Sequence, residues 1–375
     1  MGSPATAVTS QPWIVSRRDD LLWFQGSVVA GLVLLVFFLL APRFDSTTYA
    51  PDHLAVLALL LWGILFDGTH VWGTYARSYL APDPAARAAL PGRWSWALFL
   101  VGPAVALLDY ALCAPGPSLL AQAGFLFRAF LVVAYLWAYW HLVRQHYGFL
   151  VLYRRRAGEN DRRGARLDTA LLWIGCLYPY LRFGLSDAYR HSGLTQVLPE
   201  PWLAPARLAL DTVFGLALTV ALVLMLSGRI EPFRLGPKHL LLAIVIGFHL
   251  AVFALLDNLL TITATLTIFH NLQYHRIVWQ YERGHGRTPS GGLTPYLALG
   301  TGLGLFWYGP RIVGVALVHS DLARNLLLGL GWGVAFHHYL VDGRIWRVRR
   351  SKDVSTALDA DRLAAPRMGA RPPAT

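Results

Sequence analysis

The sequence predicts an all-α integral membrane protein, a polytopic bundle of about ten transmembrane helices with both termini in the cytoplasm. Three observations lead to this fold class: the composition is apolar, the apolar residues form long runs, and the arginines fall between these runs. Of the 375 residues, 55% are hydrophobic and 14% are charged, which is too apolar for a soluble chain of this length. A bilayer requires roughly 20 apolar residues for each helical span, and the chain supplies such runs repeatedly.

Each predicted span is a continuously apolar run without the period-two alternation of barrel strands, so helices are favoured. The predicted spans are roughly 21–42, 53–75, 94–113, 119–150, 167–185, 205–228, 238–257, 259–282, 293–318 and 321–345. The predicted domains are a cytoplasmic N-terminal tail (1–20), a transmembrane domain (21–350) and a disordered cytoplasmic tail (351–375). The last segment is rich in Ala, Pro and Arg and shows no apolar periodicity.

The positive charges orient the predicted spans. The net charge of +12 comes from arginines in short loops, including six between Arg154 and Arg166, whereas the third and seventh loops contain no lysine or arginine. The positive-inside rule then places the even-numbered loops and both termini in the cytoplasm, with the fifth loop as the one exception. This distribution favours membrane topology over nucleic-acid binding, and it predicts a multi-pass protein of the inner or plasma membrane.

Histidines collect at the predicted cytoplasmic ends of four spans, the second, fourth, eighth and tenth. Because all four run from outside to inside, their last turns form one layer, and we interpret this layer as a metal site near the cytoplasmic face. The candidate metal ligands are His70, His141, His146, His270, His275, His337 and His338. Candidate further ligands, or partners that orient the ligands, are Asp67, Asp342, Asn271, Gln145 and Gln273. No catalytic residue is predicted beyond these, and His53, His191, His249, His285 and His319 are interpreted as packing or interfacial groups.

The spacing supports some of these groupings more than others. Asp67 and His70 lie about 60° apart on an ideal helix, and His338 and Asp342 about 40° apart, so each pair shares a face. The two H-x4-H pairs are about 140° apart, which is too wide to chelate one ion without a local π-bulge. Each such pair could instead serve two metals. His337 and His338 diverge by about 100°, so only one of them is expected to reach a given ion.

The donor types favour iron. Imidazole suits zinc, copper and iron, and carboxylates beside imidazoles suit iron or manganese better than copper(I). Two iron ions are therefore expected, with zinc or manganese as the less favoured alternatives. The two cysteines, Cys113 and Cys176, form no CxxC pair, which argues against structural zinc, iron–sulfur or thiol-redox chemistry.

The pattern resembles the histidine-box integral-membrane non-haem di-iron enzymes, such as fatty-acid desaturases and lipid hydroxylases. His141/His146 and His270/His275 match the spaced box, and His337/His338 supply the paired histidines, although Trp332, Gly333 and Val334 stand where that box has another histidine. The resemblance implies an oxidoreductase of lipid metabolism that uses O₂ to hydroxylate, desaturate or oxidatively cleave a lipid-like substrate. The chain has no flavin, NAD or iron–sulfur fingerprint, so the electrons would come from an external donor of the ferredoxin or reductase type.

Two alternatives stay open. The histidine–aspartate layer could relay protons or metal ions in a transporter, but transporter sites lie near the membrane midplane and often show repeat symmetry. Here the polar layer is off-centre and no repeat is visible, which favours the enzyme. A bis-histidine haem protein is the other alternative, and it would leave most of the histidines unexplained.

Overall fold

The structure of the chain is a computed structural model that describes residues 12–40, 53–81, 84–112, 125–191, 198–228, 235–317, 320–347 and 351–364. Within these ranges every regular element is a helix and there is no β-strand. The predicted all-α class is therefore confirmed. Most of the predicted N-terminal tail and His319 lie outside the described residues.

The long helices are labelled in chain order. They are α1 (Val28–Leu40), α2 (His53–Trp62), α3 (Gly68–Arg77), α4 (Leu98–Leu112), α5 (Phe125–Arg156), α6 (Arg162–Gly184), α7 (Glu200–Leu226), α8 (Pro237–Leu255), α9 (Leu259–Gly284), α10 (Leu293–Leu317), α11 (Asp321–Ile345) and α12 (Lys352–Ala364). The shorter elements are α-helical turns at Arg17–Asp19, Pro84–Ala88 and Asp187–His191, π-helical segments at Asp20–Gln25 and Gly63–Asp67, and 3₁₀ turns at Arg93–Ala97 and Pro289–Gly291.

Six helical stretches among the described residues are long and apolar enough to cross a membrane. They are Arg17–Leu40, Leu54–Arg77, Arg93–Leu112, Phe125–Arg156, Glu200–Leu226 and Pro237–Leu255. This finding indicates a membrane protein. The other four predicted spans correspond to helices α6, α9, α10 and α11, which are not among these six.

The chain forms two compact units. Unit 1 comprises Met1–Leu59 and Leu112–His270, and unit 2 comprises Leu60–Ala111 and Asn271–Thr375. One division falls inside α9, so the first part of this helix belongs to unit 1 and the second part to unit 2.

Unit 1 is built around α6, which packs against α5, α7 and α8, while α1 packs against α8. Gly175 permits the close approach of α6 and α8, because a Cβ there would lie 2.7 Å from a side-chain carbon of Ile246. Buried charges join the same helices near one end, where Lys238 donates to Glu159 at 2.6 Å and to Asp168 at 3.2 Å. Arg154 also pairs with Asp168. These helix ends are therefore held by ion pairs as well as by apolar packing.

Unit 2 is built around α10, which packs against α3 and α11, while α11 also contacts α3. Gly68 and Gly304 lie at the crossing of α3 and α10, where a Cβ on Gly68 would lie 2.3 Å from the Gly304 Cα. Small residues allow this kind of close backbone approach between membrane helices. The result is that His70 on α3 and His338 on α11 belong to one packed set of helices.

The predicted disorder after residue 350 is wrong for part of the segment. Lys352–Ala364 form α12, in which Val354, Ala357 and Leu358 are buried. These residues are spaced i, i+3 and i+4 and give the helix an apolar face. The Ser351 hydroxyl accepts a hydrogen bond from the Val354 N–H and caps the helix start. Residues 365–375 lie outside the described part of the chain.

Candidate metal sites

In unit 2, two histidines and an aspartate converge. His70 lies on α3, and His338 and Asp342 lie one turn apart on α11, as the spacing predicts. One ligand atom from each of the three lies within 4.8 Å of the others, and all three side chains are buried. The Nε2 atoms of His70 and His338 are 2.9 Å apart, and a carboxylate oxygen of Asp342 is 3.9 Å from the His338 Nε2. Two imidazole nitrogens bound to one ion at roughly 2.1 Å lie about 3.0–3.4 Å apart, so little movement is needed.

The Asp342 carboxylate is oriented by hydroxyl groups. Tyr274 donates to its Oδ1 at 2.7 Å, and Thr74 donates to the same oxygen at 2.8 Å. Trp346 in turn donates its indole N–H to the Tyr274 hydroxyl at 3.2 Å. Because these donors share Oδ1, the other oxygen, Oδ2, faces His338. This is the kind of outer hydrogen bonding that orients a metal-ligating carboxylate.

Two of the predicted ligands in unit 2 have both ring nitrogens hydrogen-bonded to hydroxyls. The His275 nitrogens contact the Tyr296 hydroxyl at 2.8 Å and the Thr69 hydroxyl at 3.1 Å. The His337 nitrogens contact the hydroxyls of Tyr75 and Tyr79 at 3.1 and 3.2 Å. The structure therefore separates His337 from His338, in keeping with their predicted divergence.

The His337 ring also stacks on Trp96, with ring centroids 4.6 Å apart. Asp67 accepts a hydrogen bond from the Tyr308 hydroxyl. The amides Asn271 and Gln273 are buried on α9 in the same unit. None of these contacts decides whether the side chain binds or orients a metal, and those roles stay predictions.

In unit 1, four histidines from three helices lie close together: His141 and His146 on α5, His249 on α8 and His270 on α9. Ring centroids are 5.8 Å apart for His146 and His249, 6.1 Å for His146 and His270, and 6.3 Å for His141 and His270. Imidazoles on one ion have centroid separations of about 4.7–6.6 Å, given metal–nitrogen bonds of roughly 2.1 Å. The four rings therefore form one cluster, but their ligand atoms do not all lie within 4.8 Å of one another, so a bound ion would require the rings to move closer together.

The hydrogen bonding of His249 leaves one of its nitrogens free to bind a metal. Tyr139 donates its one hydroxyl proton to the Cys176 carbonyl at 2.5 Å, and the same oxygen lies 2.7 Å from the His249 Nδ1. The Tyr139 oxygen must therefore accept the Nδ1 proton, which leaves a lone pair on Nε2 of the neutral ring. Among the described residues that Nε2 has no hydrogen-bond partner.

His146, like His249, has ring nitrogen atoms that are available to bind a metal. Its side chain is fully buried, and within the described part of the chain neither ring nitrogen has a hydrogen-bond partner. Burying an unpaired polar group is costly, and most buried polar groups in proteins find a partner. A metal ion would satisfy one nitrogen of this ring and the Nε2 of His249, whereas the remaining His146 N–H has no acceptor among the described residues. Gln145 donates an amide N–H to the Nε2 of the neighbouring His141 at 3.1 Å. A residue that orients a metal-ligating histidine accepts the ring N–H instead, so an orienting role for Gln145 stays a prediction.

His249 is the residue that the sequence analysis left out of the candidate set. It stands alone in an apolar run near the middle of α8, with no second histidine at box spacing. The one available signal was the high cost of a polar side chain inside a bilayer, which points to a partner without naming it.

Comparison with known protein families, with curated proteins and with solved structures finds no match. A candidate function must therefore rest on the sites themselves.

Proposed function

We propose that this protein is a membrane-bound metalloenzyme that holds one metal ion at each histidine cluster and uses O₂ to oxidise a lipid-like substrate. The observation that carries the proposal is the pair His146 and His249, which are fully buried and present ring nitrogens that have no partner among the described residues. Packing histidines would instead be expected to satisfy their nitrogens, as His275 and His337 do with hydroxyls.

Iron is the metal that both donor sets suit. The unit 1 set is made of imidazoles, which suit zinc, copper and iron, and the unit 2 set adds the Asp342 carboxylate, which favours iron or manganese. We therefore propose two irons, with zinc or manganese as the alternatives. The proposed ligands are His141, His146, His249 and His270 in unit 1 and His70, His338 and Asp342 in unit 2.

Two irons with open coordination positions would supply the activation of O₂ and the attack on an unactivated C–H bond. The protein's own groups do the remaining work. Tyr274 and Thr74 orient Asp342, and Tyr139 selects the His249 tautomer. The proposal requires an external electron donor of the ferredoxin or reductase type, and it covers hydroxylation, desaturation and oxidative cleavage alike.

We further propose ten spans with cytoplasmic termini and an active site near the cytoplasmic face. Support comes from the six arginines between Arg154 and Arg166, which lie at the facing ends of α5 and α6, since positively charged connections stay in the cytoplasm. Reporter fusions in this loop and after α12 test the orientation, and an external position for either one would contradict it.

Metal analysis of the purified, iron-supplied protein tests the function. We expect about two irons per chain, and O₂ consumption when a chemical reductant is added. Mössbauer spectra then distinguish coupled irons, as one O₂-activating centre requires, from uncoupled ions. A chain that binds no metal, or that shows a haem Soret band, would overturn the proposal. Metal or proton flux in reconstituted vesicles without O₂ consumption would favour the transporter.

A further inference from the structure

A cavity of about 440 Å³ lies within unit 2, at the end of α3, beside the last turns of α9 and the loop that follows α9. This volume is typical of small-molecule pockets. Its wall is apolar on one side, with Trp72, Val278 and Leu299, and charged on the other, with Arg77, Glu282 and Arg287. None of the proposed metal ligands lines it, so it is separate from the histidine clusters.

Arg77 brings a buried positive charge to this wall. Its side chain is only 2% exposed, and its guanidinium lies 3.9 Å from the Tyr281 ring centre and 4.0 Å from that of Trp346. One nitrogen donates to the Ile345 carbonyl at 3.1 Å, but Nε and Nη1 have no acceptor among the described residues. No carboxylate in the described ranges lies within ion-pair distance of it, although Asp342, Glu282 and Asp353 interact with its charge from farther away. Two donors without acceptors on a buried guanidinium are costly, because stacking on aromatic rings replaces only part of its hydration.

The other charges in the wall cancel. Arg287 donates to the Glu282 carboxylate at 2.9 Å, so this pair contributes no net charge. The cavity wall therefore carries a single net positive charge, that of Arg77, and it would be neutralised by a ligand with one negative charge.

The backbone of the loop supports a binding role. Ser290 lines the cavity and adopts φ 50°, the one positive φ of a non-glycine residue in the described chain. The next residue, Gly291, also lines the cavity and has φ 80°. Strained backbone of this kind concentrates at functional sites, where the surrounding structure maintains it.

We propose that this cavity binds the head of an acyl-chain amphiphile with one negative charge, such as the carboxylate of a fatty acid or the phosphodiester of an anionic phospholipid. The head neutralises Arg77, and the acyl chain leaves along apolar side chains at the rim, where Leu80 is 61% exposed and Leu299 is 49% exposed. Arg77 follows His70 by seven residues on α3, or about 10 Å along the helix axis. If the proposed function is right, this amphiphile is the substrate, so the inference deepens that proposal.

Binding is measured on metal-free protein in an uncharged detergent, so that it does not depend on the metal sites. Oleate is expected to bind and to raise the thermal midpoint, whereas oleyl alcohol should bind at least about tenfold more weakly, a difference of about 1.4 kcal/mol. Phosphatidylglycerol and inorganic phosphate are tested in the same binding assay. If oleate binds more tightly than phosphatidylglycerol, the head group is a carboxylate, and if phosphatidylglycerol binds more tightly, it is a phosphodiester. Equal binding of oleyl alcohol, or binding of phosphate alone, overturns the proposal.

A matched pair of variants at Thr288 tests the charge. Thr288 is exposed, lines the cavity, and makes no side-chain capping bond at the start of its 3₁₀ turn, so the fold should tolerate changes there. Thr288→Glu adds a negative charge to the wall and should weaken oleate binding on the order of tenfold. Thr288→Gln, of the same size as Thr288→Glu but uncharged, should bind oleate more tightly than Thr288→Glu does. Equal oleate affinity in both variants would overturn the proposal.

Arg77→Gln removes the charge itself and should abolish the preference for oleate over oleyl alcohol. Its control is Arg324→Gln, which breaks an exposed pair with Asp321 in the same unit and should leave that preference unchanged. Should Arg77→Gln fail to fold, the Thr288 pair decides the question. If the chain binds oleate but takes up no iron, the lipid site is supported and the proposed enzyme is contradicted. If it takes up iron but does not bind oleate, the proposed enzyme is supported and this class of substrate is contradicted.

Discussion

The two units orient their candidate metal ligands by the same means but with different donor atoms. In unit 1 the candidate set consists of imidazoles, and the Tyr139 hydroxyl fixes the proton of His249. In unit 2 a carboxylate joins two imidazoles, and the Tyr274 hydroxyl orients Asp342. The first set is neutral and depends on lone pairs, whereas the second carries a negative charge. We infer that affinity in unit 1 depends on which nitrogens carry protons, and affinity in unit 2 on the charge and orientation of one carboxylate.

The largest expected effect comes from removing one histidine from each unit. His146→Ala and His338→Ala should each reduce bound iron by about one ion per chain, because each removes a central ligand of one set. The double variant should bind almost none. Iron is measured on protein purified in parallel, with membrane insertion as the check that the fold persists.

His285→Ala is the matched control, because His285 contacts Asp353 and belongs to neither set. It should keep its full iron content. Loss of both ions in either single variant would show that the two sites do not bind independently. His249→Ala tests the residue that was not predicted as a ligand from the sequence. If this variant keeps its full iron content, His249 is a packing residue and not a ligand.

A smaller effect separates a direct ligand from a residue that orients one. Asp342→Asn should reduce the iron affinity of the unit 2 site by roughly 10–100-fold if the carboxylate only orients His338. If Asp342 binds the ion itself, the loss should match that of His338→Ala. Titration of apoprotein with ferrous iron measures both cases.

Two tyrosine variants test the hydrogen-bond partners of the candidate ligands in the two units. Tyr274→Phe removes a donor to Asp342, and Tyr139→Phe removes the acceptor that fixes the His249 proton. Each should weaken its own site and leave the other unchanged.

If Asp342→Asn has a normal iron content, the unit 2 set consists of its two histidines only.

The helices that carry the histidines could be predicted because continuously apolar runs define them, and helical spacing correctly paired His338 with Asp342. The division of the histidines into two sets could not be predicted. His270 and His275 match a motif, yet they belong to different units because the division falls between them in α9. Which helices pack together is decided by small residues such as Gly68 and Gly304, whose partners cannot be read from a single sequence.

The hydroxyl groups that bond to the histidines could not be predicted from the sequence either. His337 and His338 are adjacent and chemically identical, and only the tertiary positions of Tyr75 and Tyr79 show that His337 has two hydroxyl partners. The helix α12 was different, because its apolar residues at i, i+3 and i+4 were visible. Overall composition outweighed that local pattern, and the segment was wrongly predicted to be disordered.

The smallest expected difference between the units is their response to acid outside the histidine sets. In unit 2, burial alone would raise the pKa of Asp353, but hydrogen bonds from Tyr281 and His285 outweigh it and hold the pKa below its usual value of 3.8. In unit 1, backbone N–H groups of Gly164 and Arg163 lower the pKa of the partly exposed Asp161. A carboxyl pKa lowered by folding adds stability above the unfolded pKa, and this stability is lost as the pH falls through the folded value.

We therefore expect α12 to loosen below about pH 4, by no more than about 1 kcal/mol because Asp353 is partly exposed. Hydrogen exchange of residues 352–359, corrected for the intrinsic effect of pH, measures the change. Asp353→Asn should exchange faster than the wild type at pH 6 and show little further change on acidification. Asp161→Asn is the control, because asparagine caps a helix about as well as aspartate. Unchanged protection in Asp353→Asn would mean that burial of Val354, Ala357 and Leu358 is sufficient to dock α12, and the acid response would then not distinguish the two units.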